Sequence, residues 1–305
     1  MPIDDVRLAF SPTSLQVLNV ILGLIMFGVA LDLHVEDFRR LLSKPKAPVV
    51  GLFAQFLLLP PLAWALSRVI APSPSVALGM VLISACPGGN VSNFMTHLAG
   101  GRTETSVGMT AVSTAAAIVM TPLNIALYGG LSSDTSALLH QVALDPLQMF
   151  VTVLVLLGIP IVLGMGVAHW FPKVAAVLRK PFKVGSILFF AAFVLIAFKA
   201  NWDQFLAWVG VVFFPVLVMN ALAFLLGFLA ATVLRLDEGD RRAVTIEVGI
   251  QNSGLGLVLI FNFFGGLGGM AIVAAWWGIW HILAGLTLAG LWSRHPAVPH
   301  GARAA

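Results

Sequence analysis

Residues 86–93 read C-P-G-G-N-V-S-N, and they lie between two apolar segments, SVALGMVLISA before and FMTHLA after. Pro87 lacks the N–H that a helix interior needs, and Gly88 and Gly89 weaken any helix that contains them. The stretch therefore predicts an interruption in the middle of an apolar span. Unpaired backbone is costly in lipid, so a break at this depth is tolerated only where it is buried in protein or lines a cavity.

The composition of the chain places it in a membrane. Of its 305 residues, 59% are hydrophobic and 10% are charged, and the mean hydropathy is +0.98. Soluble domains carry about 25% charged residues. The apolar runs are long enough to cross a hydrocarbon core of about 30 Å as helices, and they lack the alternation of a membrane barrel. These features predict an all-α polytopic membrane protein.

The distribution of basic residues predicts the topology. Nine spans are expected, at 13–31, 47–69, 74–99, 104–129, 148–169, 184–200, 207–234, 242–264 and 270–292. With this count, all 17 lysines and arginines except Arg7, Arg68 and Lys199 fall on one side. The positive-inside rule makes that side cytoplasmic, with the N-terminus outside and the C-terminus inside. The same distribution explains the pI of about 9.6 without nucleic acid. The longest stretch between spans, 130–147, has the length of a loop.

A second break is predicted in the eighth span, where residues 247–254 read E-V-G-I-Q-N-S-G. The third and eighth spans occupy matching positions in the chain, and five spans separate them, so they run in opposite directions. Matched, oppositely directed breaks indicate an inverted repeat with two discontinuous helices that cross near the membrane midplane.

Glu247 is the one carboxylate predicted well inside a span, where an ionised group needs a cation or a proton. Oxygen-bearing side chains are expected around it: Gln55, Ser92, Asn93, Ser106, Thr110, Gln251 and Asn252. Oxygen ligands suit hard cations, and a single carboxylate favours sodium over a divalent ion. At this point the residues leave two hypotheses open, that Glu247 binds sodium or that it titrates.

Two further features concern an anion and the class of protein. Beyond each break a half-helix would begin with free N–H groups, which attract an anion, and Asn90 and Asn252 would add side-chain donors. The sequence contains no G-x-S-x-G, no H-E-x-x-H and no phosphate-binding loop, so we expect a transporter and not an enzyme. A passive channel is the remaining alternative.

These motifs resemble the bile acid:sodium symporter family, especially its bacterial members. The resemblance covers roughly residues 14–292, and its most specific parts are CPGGNVSN at 86–93 and TIEVGIQNSGLG at 245–256. It implies two sodium ions as cofactors. The first sodium site would use Ser92, Asn93, Ser106, Thr110 and Glu247. The second would use Gln55, Glu247, Gln251 and the carbonyls of Val248 and Ile250. The substrate would lie near Asn90, Asn252 and His281.

The resemblance also implies an architecture and a function. The family has a panel domain, here 10–46 and 148–200, and a core domain whose two repeats are 47–129 and 207–292, followed by the tail 293–305. The expected function is sodium-coupled import of a small organic anion, such as pantoate, an oxo acid or a bile-acid-like carboxylate, by alternating access. A proton-coupled transporter that uses the same site is the alternative. The protein is expected to act as a monomer in the inner membrane.

Overall fold

The computed structural model describes residues 2–8, 11–33 and 43–295, without the side chains of residues 12, 183, 186, 187 and 189–198. This part of the chain forms twelve α-helices and no β-strand. The helices are α1 Pro12–Ala30, α2 Lys46–Ile70, α3 Pro74–Ala85, α4 Val91–Leu98, α5 Thr103–Gly130, α6 Ser133–Gln141, α7 Pro146–Trp170, α8 Pro172–Ala200, α9 Trp202–Val233, α10 Glu238–Gly249, α11 Ser253–Phe263 and α12 Gly268–Ser293.

Six of these helices are long and apolar enough to cross a membrane: α1, α2, α5, α7, α9 and α12. The expected spans 74–99 and 242–264 correspond to the pairs α3–α4 and α10–α11, and each pair is interrupted. At 12 residues, α3 is about 18 Å long, too short to span alone. Many side chains of the expected span 184–200 lie outside the described residues, so the count of nine stays a prediction.

The structure corrects two expectations about connections. Residues 172–183, which the sequence predicts as a connection, form the first turns of α8. The presumed loop 130–147 contains the nine-residue helix α6. Both segments lie between predicted spans and are therefore expected to be connections, but their backbone is helical. Part of the predicted basic connection 32–46, at 34–42, and most of the tail, at 296–305, lie outside the described residues.

Local chemistry ends α3 at the predicted break. A residue before proline is pushed out of the helical region, and Cys86 accordingly has φ −72° and ψ 156°. The hydroxyl of Thr121, on α5, donates a hydrogen bond of 2.6 Å to the carbonyl of Ala85, the last helical residue. A carbonyl that the helix leaves unpaired is thus satisfied by a neighbouring helix.

A wide turn in α2 positions Gln55. Residues Ala54–Leu58 form a π-helical turn just before Pro60. Pro60 has no N–H to donate to the carbonyl of Phe56 one turn earlier. The side chain of Asn124 donates to that carbonyl instead, at 3.1 Å. The irregular turn is therefore supported from α5, and Gln55 in it is buried.

The two helices that lead into the breaks lie in the interior. Every side chain of α3 from Ser75 to Ala85 is buried, and so is every residue of α10 from Arg242 to Gly249. Helix α3 packs among α2, α5, α11 and α12, while α10 packs among α2, α4, α5, α9 and α12. On the periphery, α1 packs against α7 and α8. Peripheral helices expose large apolar side chains such as Val162 and Trp170, as expected of a multi-pass membrane protein.

Candidate functional site at the crossing of two broken helices

The two breaks pair with each other as a short antiparallel bridge between Gly88 and Gln251. The N–H of Gly89 donates to the carbonyl of Ile250 at 2.9 Å, and the N–H of Asn252 donates to the carbonyl of Pro87 at 2.8 Å. Each break thus supplies partners for backbone groups that the other cannot satisfy within its own helix. This reciprocal pairing explains how irregular backbone is tolerated in the interior.

The predicted first sodium-site residues meet around the carboxylate of Glu247, whose exposed fraction is 1%. Its oxygens accept hydrogen bonds from Ser92 at 2.6 Å, from Thr110 at 2.7 Å and from Ser106 at 3.3 Å. The amide oxygen of Asn93 lies 2.8 Å from the hydroxyl oxygen of Ser106 and 3.1 Å from that of Thr110. Helices α4, α5 and α10 thus bring all five predicted side chains together.

Three of the predicted second-site residues form an adjoining group. The amide nitrogen of Gln55 lies 3.3 Å from Oε1 of Gln251 and 3.4 Å from the carbonyl oxygen of Cys86. The amide nitrogen of Gln251 donates to the carbonyl of Val248 at 2.7 Å. Oε1 of Gln55 is buried and has no hydrogen-bond donor among the described residues. An unpaired buried oxygen beside other oxygens is suited to a cation.

The other two predicted second-site residues, Ile250 and Glu247, have hydrogen-bond partners outside this group. The carbonyl of Ile250 accepts the N–H of Gly89, and one of its two lone pairs remains for another ligand. Within the described part of the chain, the hydrogen bonds of Glu247 go to the first group, and none joins it to Gln55 or Gln251.

Gly88 has a role in the site beyond breaking the helix. A methyl carbon at this position would overlap Oε1 of Glu247 and lie 2.8 Å from its Cδ. The absence of a side chain therefore lets the backbone of one break lie directly against the carboxylate from the other. The sequence motif contains this glycine, but only the tertiary contact shows that the space is needed for Glu247.

Other contributing residues are missed by sequence reasoning. Asn220, on α9, is fully buried, and its amide nitrogen donates to the carbonyl of Gly249 at 2.8 Å, where α10 ends. The hydroxyl of Thr96 lies 3.3 Å from that of Ser106, behind the carboxylate. A polar residue in an otherwise apolar span is the signal that could identify Asn220.

The predicted substrate residues lie at the starts of the half-helices and on α12. Asn90 is the N-cap of α4 and is partly exposed, and its side chain makes no capping bond. Asn252 caps α11, since its Oδ1 accepts the N–H of Leu255 at 3.0 Å; its amide nitrogen is the remaining donor. His281 is buried, and its ring contacts that of Trp277 edge-on. The described contacts do not join these three residues directly.

The helix ends bring partial charges of both signs to the crossing. Helices α3 and α10 end there, at Ala85 and Gly249, while α4 and α11 begin there. Helix C-termini carry partial negative charge and favour a cation, and N-termini carry partial positive charge and favour an anion. The carboxylate of Glu247 adds to the negative side. One region can therefore attract both a cation and an anion.

Charged groups fix the opposite end of α10. Arg242 is buried, pairs with Glu238 and donates to three carbonyl oxygens at the ends of α4 and α12, those of Ala99, Trp292 and His295. Arg102 pairs with Asp237 and Asp240 at the start of α10. Partial burial lowers the pKa of Arg102, but Asp240 and Asp237 outweigh this and raise it. These contacts hold α10, and with it Glu247, against its neighbours.

Comparison with known proteins identifies the family. The sodium bile acid symporter family profile matches residues 19–208. The chain is 35% identical over 91% of its length to the uncharacterized sodium-dependent transporter YocS of Bacillus subtilis, covering 83% of that protein. It is 31% identical over 90% of its length to a probable chloroplastic sodium/metabolite cotransporter, BASS1, of Arabidopsis thaliana, covering 66% of it. It is 31% identical over 78% of its length to the human ileal sodium/bile acid cotransporter, covering 67% of it.

The family and these relatives are transporters and not enzymes, in agreement with the motifs at the two breaks. The chain belongs to the sodium bile acid symporter family.

Proposed function

We propose that the protein is a sodium-coupled symporter that imports a small organic anion by alternating access. The observation that carries the proposal is the buried carboxylate of Glu247, enclosed by hydroxyl and amide oxygens where the two broken helices cross. Among the described residues it has no lysine or arginine partner, so its charge is left for a mobile cation. The relatives named as sodium-dependent support sodium as that cation.

Two sodium ions fit two neighbouring oxygen groups. The first ion would be held by Ser92, Asn93, Ser106, Thr110 and Glu247. The second would be held by Gln55, Glu247, Gln251 and the carbonyls of Val248 and Ile250. Neutral oxygens around one carboxylate match a weakly charged ion better than a divalent one. A proton needs no such cage, which favours sodium coupling over proton coupling.

Sodium would prepare the site for the anion. With Glu247 neutralised, the positive ends of α4 and α11 can attract a carboxylate, assisted by Asn90 and by the amide nitrogen of Asn252. His281 would line the same region. A small carboxylate such as pantoate or an oxo acid is our proposed substrate class.

The packing supports a division into two moving parts. Helices α1, α7 and α8 would form the panel domain, 10–46 and 148–200, and α2–α5 with α9–α12 would form the core domain, 47–129 and 207–292. We place the N-terminus outside and the C-terminus in the cytoplasm, with the monomer in the inner membrane. Two sodium ions with a monoanion carry net positive charge inward, and the membrane potential contributes about 2.3 kcal/mol per charge per 100 mV.

The test begins with ligand binding. The melting temperature of the purified protein is measured with pantoate, pyruvate or a bile acid, in NaCl and in KCl at equal ionic strength. An anion that raises the melting temperature only in NaCl identifies both partners. That anion is then used for uptake into proteoliposomes.

The uptake assay compares site variants with a control. We expect Glu247→Ala and Gln251→Ala to abolish sodium-dependent uptake, and Gln148→Ala, on an exposed part of α7, to retain it. Normal uptake by both site variants would overturn the sodium sites. Uptake that persists in KCl and collapses with the pH gradient would establish proton coupling instead.

A further inference from the structure

A second polar region lies away from the helix crossing, where α2 and α10 begin and α9 ends. A groove with a volume of about 350 Å³ opens there. Three cationic side chains line it: Lys44, Lys46 and Arg235. All three residues are exposed. The proposed transport cycle uses none of them, so the groove needs its own explanation.

The acidic residues in the groove are already engaged. Asp237 and Asp240 both pair with Arg102. Oδ1 of Asp237 also accepts the N–H of Asp240, and Oδ1 of Asp240 accepts the hydroxyl of Thr105 at 2.7 Å. Lys44 and Arg235 form no ion pair with any described residue. The groove therefore keeps a positive charge that an anion can neutralise.

Arg235 occupies a backbone position that normally favours glycine. Its φ is +53°, in the left-handed region. The N–H of Arg235 bonds the carbonyl of Thr232 and the N–H of Leu236 bonds that of Ala231, which is the pattern of a glycine-capped helix end. A side chain here crowds the backbone, and such strain points to a use for the side chain. Lys46 reaches the carbonyl of Arg235 at 3.5 Å, which joins two of the cations.

Apolar side chains border the groove and indicate the source of the anion. Val49 is 59% exposed one turn after Lys46, and Val233 is 75% exposed two residues before Arg235. A free phosphate makes no use of these surfaces, whereas the acyl chains of a lipid can lie against them. Basic pockets between the ends of membrane helices are recognised sites for acidic headgroups.

We propose that this groove binds the phosphate of an anionic phospholipid headgroup, with Lys44, Lys46 and Arg235 as its ligands. The acyl chains would extend along the lipid-facing residues of α2 and α9. Because α2 carries Gln55 and α10 carries Glu247, the bound lipid would contact the starts of both helices that bring these side chains to the crossing.

The test uses the purified full-length protein after delipidation. Its melting temperature is measured while phosphatidylglycerol, phosphatidylcholine or inorganic phosphate is added. The groove variant carries Lys44→Gln, Lys46→Gln and Arg235→Gln. The control variant carries Lys173→Gln, Lys180→Gln and Arg294→Gln, three exposed positions outside the groove, and loses the same charge.

We expect phosphatidylglycerol to stabilise the wild type more than phosphatidylcholine does. The groove variant should bind phosphatidylglycerol roughly 100-fold more weakly, and the control variant less than about threefold more weakly. Equal weakening in both variants would mean general attraction to a basic surface and would overturn the proposal. Stabilisation by inorganic phosphate alone, equal to that by the lipid, would overturn the assignment to a lipid.

A single substitution separates binding from stability. Arg235→Gly removes the guanidinium and relieves the left-handed backbone at the same position. We therefore expect this variant to melt higher than the wild type in phosphatidylcholine and to respond less to phosphatidylglycerol. An unchanged response to phosphatidylglycerol would show that Arg235 serves only the helix end, against the proposal.

Discussion

The contact between Gly88 and Glu247 leads to a sharp prediction. Alanine at position 88 would place a methyl carbon 2.8 Å from Cδ of Glu247 and in overlap with Oε1. The backbone of Gly88 is not in the left-handed region, so its conformation would accept alanine. The conflict is the overlap of the added methyl group with the carboxylate of Glu247. The carboxylate must therefore move by about 1 Å to reach an ordinary van der Waals distance of about 3.5 Å.

The size of the effect follows from the hydrogen bonds that this movement breaks. Glu247 accepts from Ser92 at 2.6 Å and from Thr110 at 2.7 Å, and a shift of about 1 Å away from these hydroxyls would take both beyond hydrogen-bonding distance. Hydrogen bonds to a charged group contribute about 1.5–3 kcal/mol each. Loss of both removes at least about 3 kcal/mol from the cage that would hold sodium. We expect the affinity for sodium to fall by at least about 100-fold.

The neighbouring glycine provides a matched control. A methyl carbon at Gly89 would lie 3.3 Å from the carbonyl oxygen of Gln251 and from Cγ2 of Ile250. These contacts are slightly short, and a movement of the neighbouring atoms by a few tenths of an ångström returns them to ordinary van der Waals distances. The assay is the rise in melting temperature as NaCl replaces KCl at constant ionic strength. Gly88→Ala should lose this rise, and Gly89→Ala should keep most of it. A normal response from Gly88→Ala, or a loss confined to Gly89→Ala, would refute the reasoning.

Two further predictions concern contacts outside the proposed sodium sites. Asn19 and Asn262 exchange amide hydrogen bonds of 3.3 and 3.0 Å between α1 and α11, and the pair must separate if these helices belong to different moving parts. Asn19→Leu should change the ratio of the two conformations of the proposed transport cycle about fivefold, measured by single-molecule distance distributions; an unchanged ratio would contradict a role of this pair in that cycle. Arg242→Met should lower the free energy of unfolding by about 3 kcal/mol, since it breaks one of the two ion pairs of Glu238 and leaves the carbonyl oxygens of Ala99, Trp292 and His295 without their donor. Arg242→Lys should restore part of the loss, and wild-type thermal unfolding of the methionine variant would contradict this.

The sequence predicts the two breaks because their chemistry is local. Pro87 and the adjacent glycines are incompatible with a continuous helix, and the second break repeats the pattern at a matching position. Glu247 is equally predictable, because a carboxylate among apolar residues requires a partner. The grouping of Ser92, Ser106 and Thr110 around it follows from the family resemblance, and the structure brings these side chains together.

The supporting contacts are not predictable from local sequence, because they join distant parts of the chain. Asn124 lies 68 positions from the carbonyl that it satisfies in α2, and Asn220 lies 29 positions from the carbonyl at the end of α10. The ion pairs of Arg102 depend in the same way on the folded arrangement of α5 and α10. The sequence shows that each of these side chains is polar, but only the folded structure shows which group it binds.

The pairing of the two breaks has a consequence for how the chain is made. Ser92 and Glu247 are 155 positions apart, and synthesis proceeds at about 5–20 residues per second. The first broken span therefore emerges on the order of 10 s before the second. During that interval the carbonyl of Pro87 and the N–H of Gly89 lack the partners that they have in the finished protein. The N-terminal half is thus an incomplete insertion unit that must be kept from misassembly until its counterpart arrives.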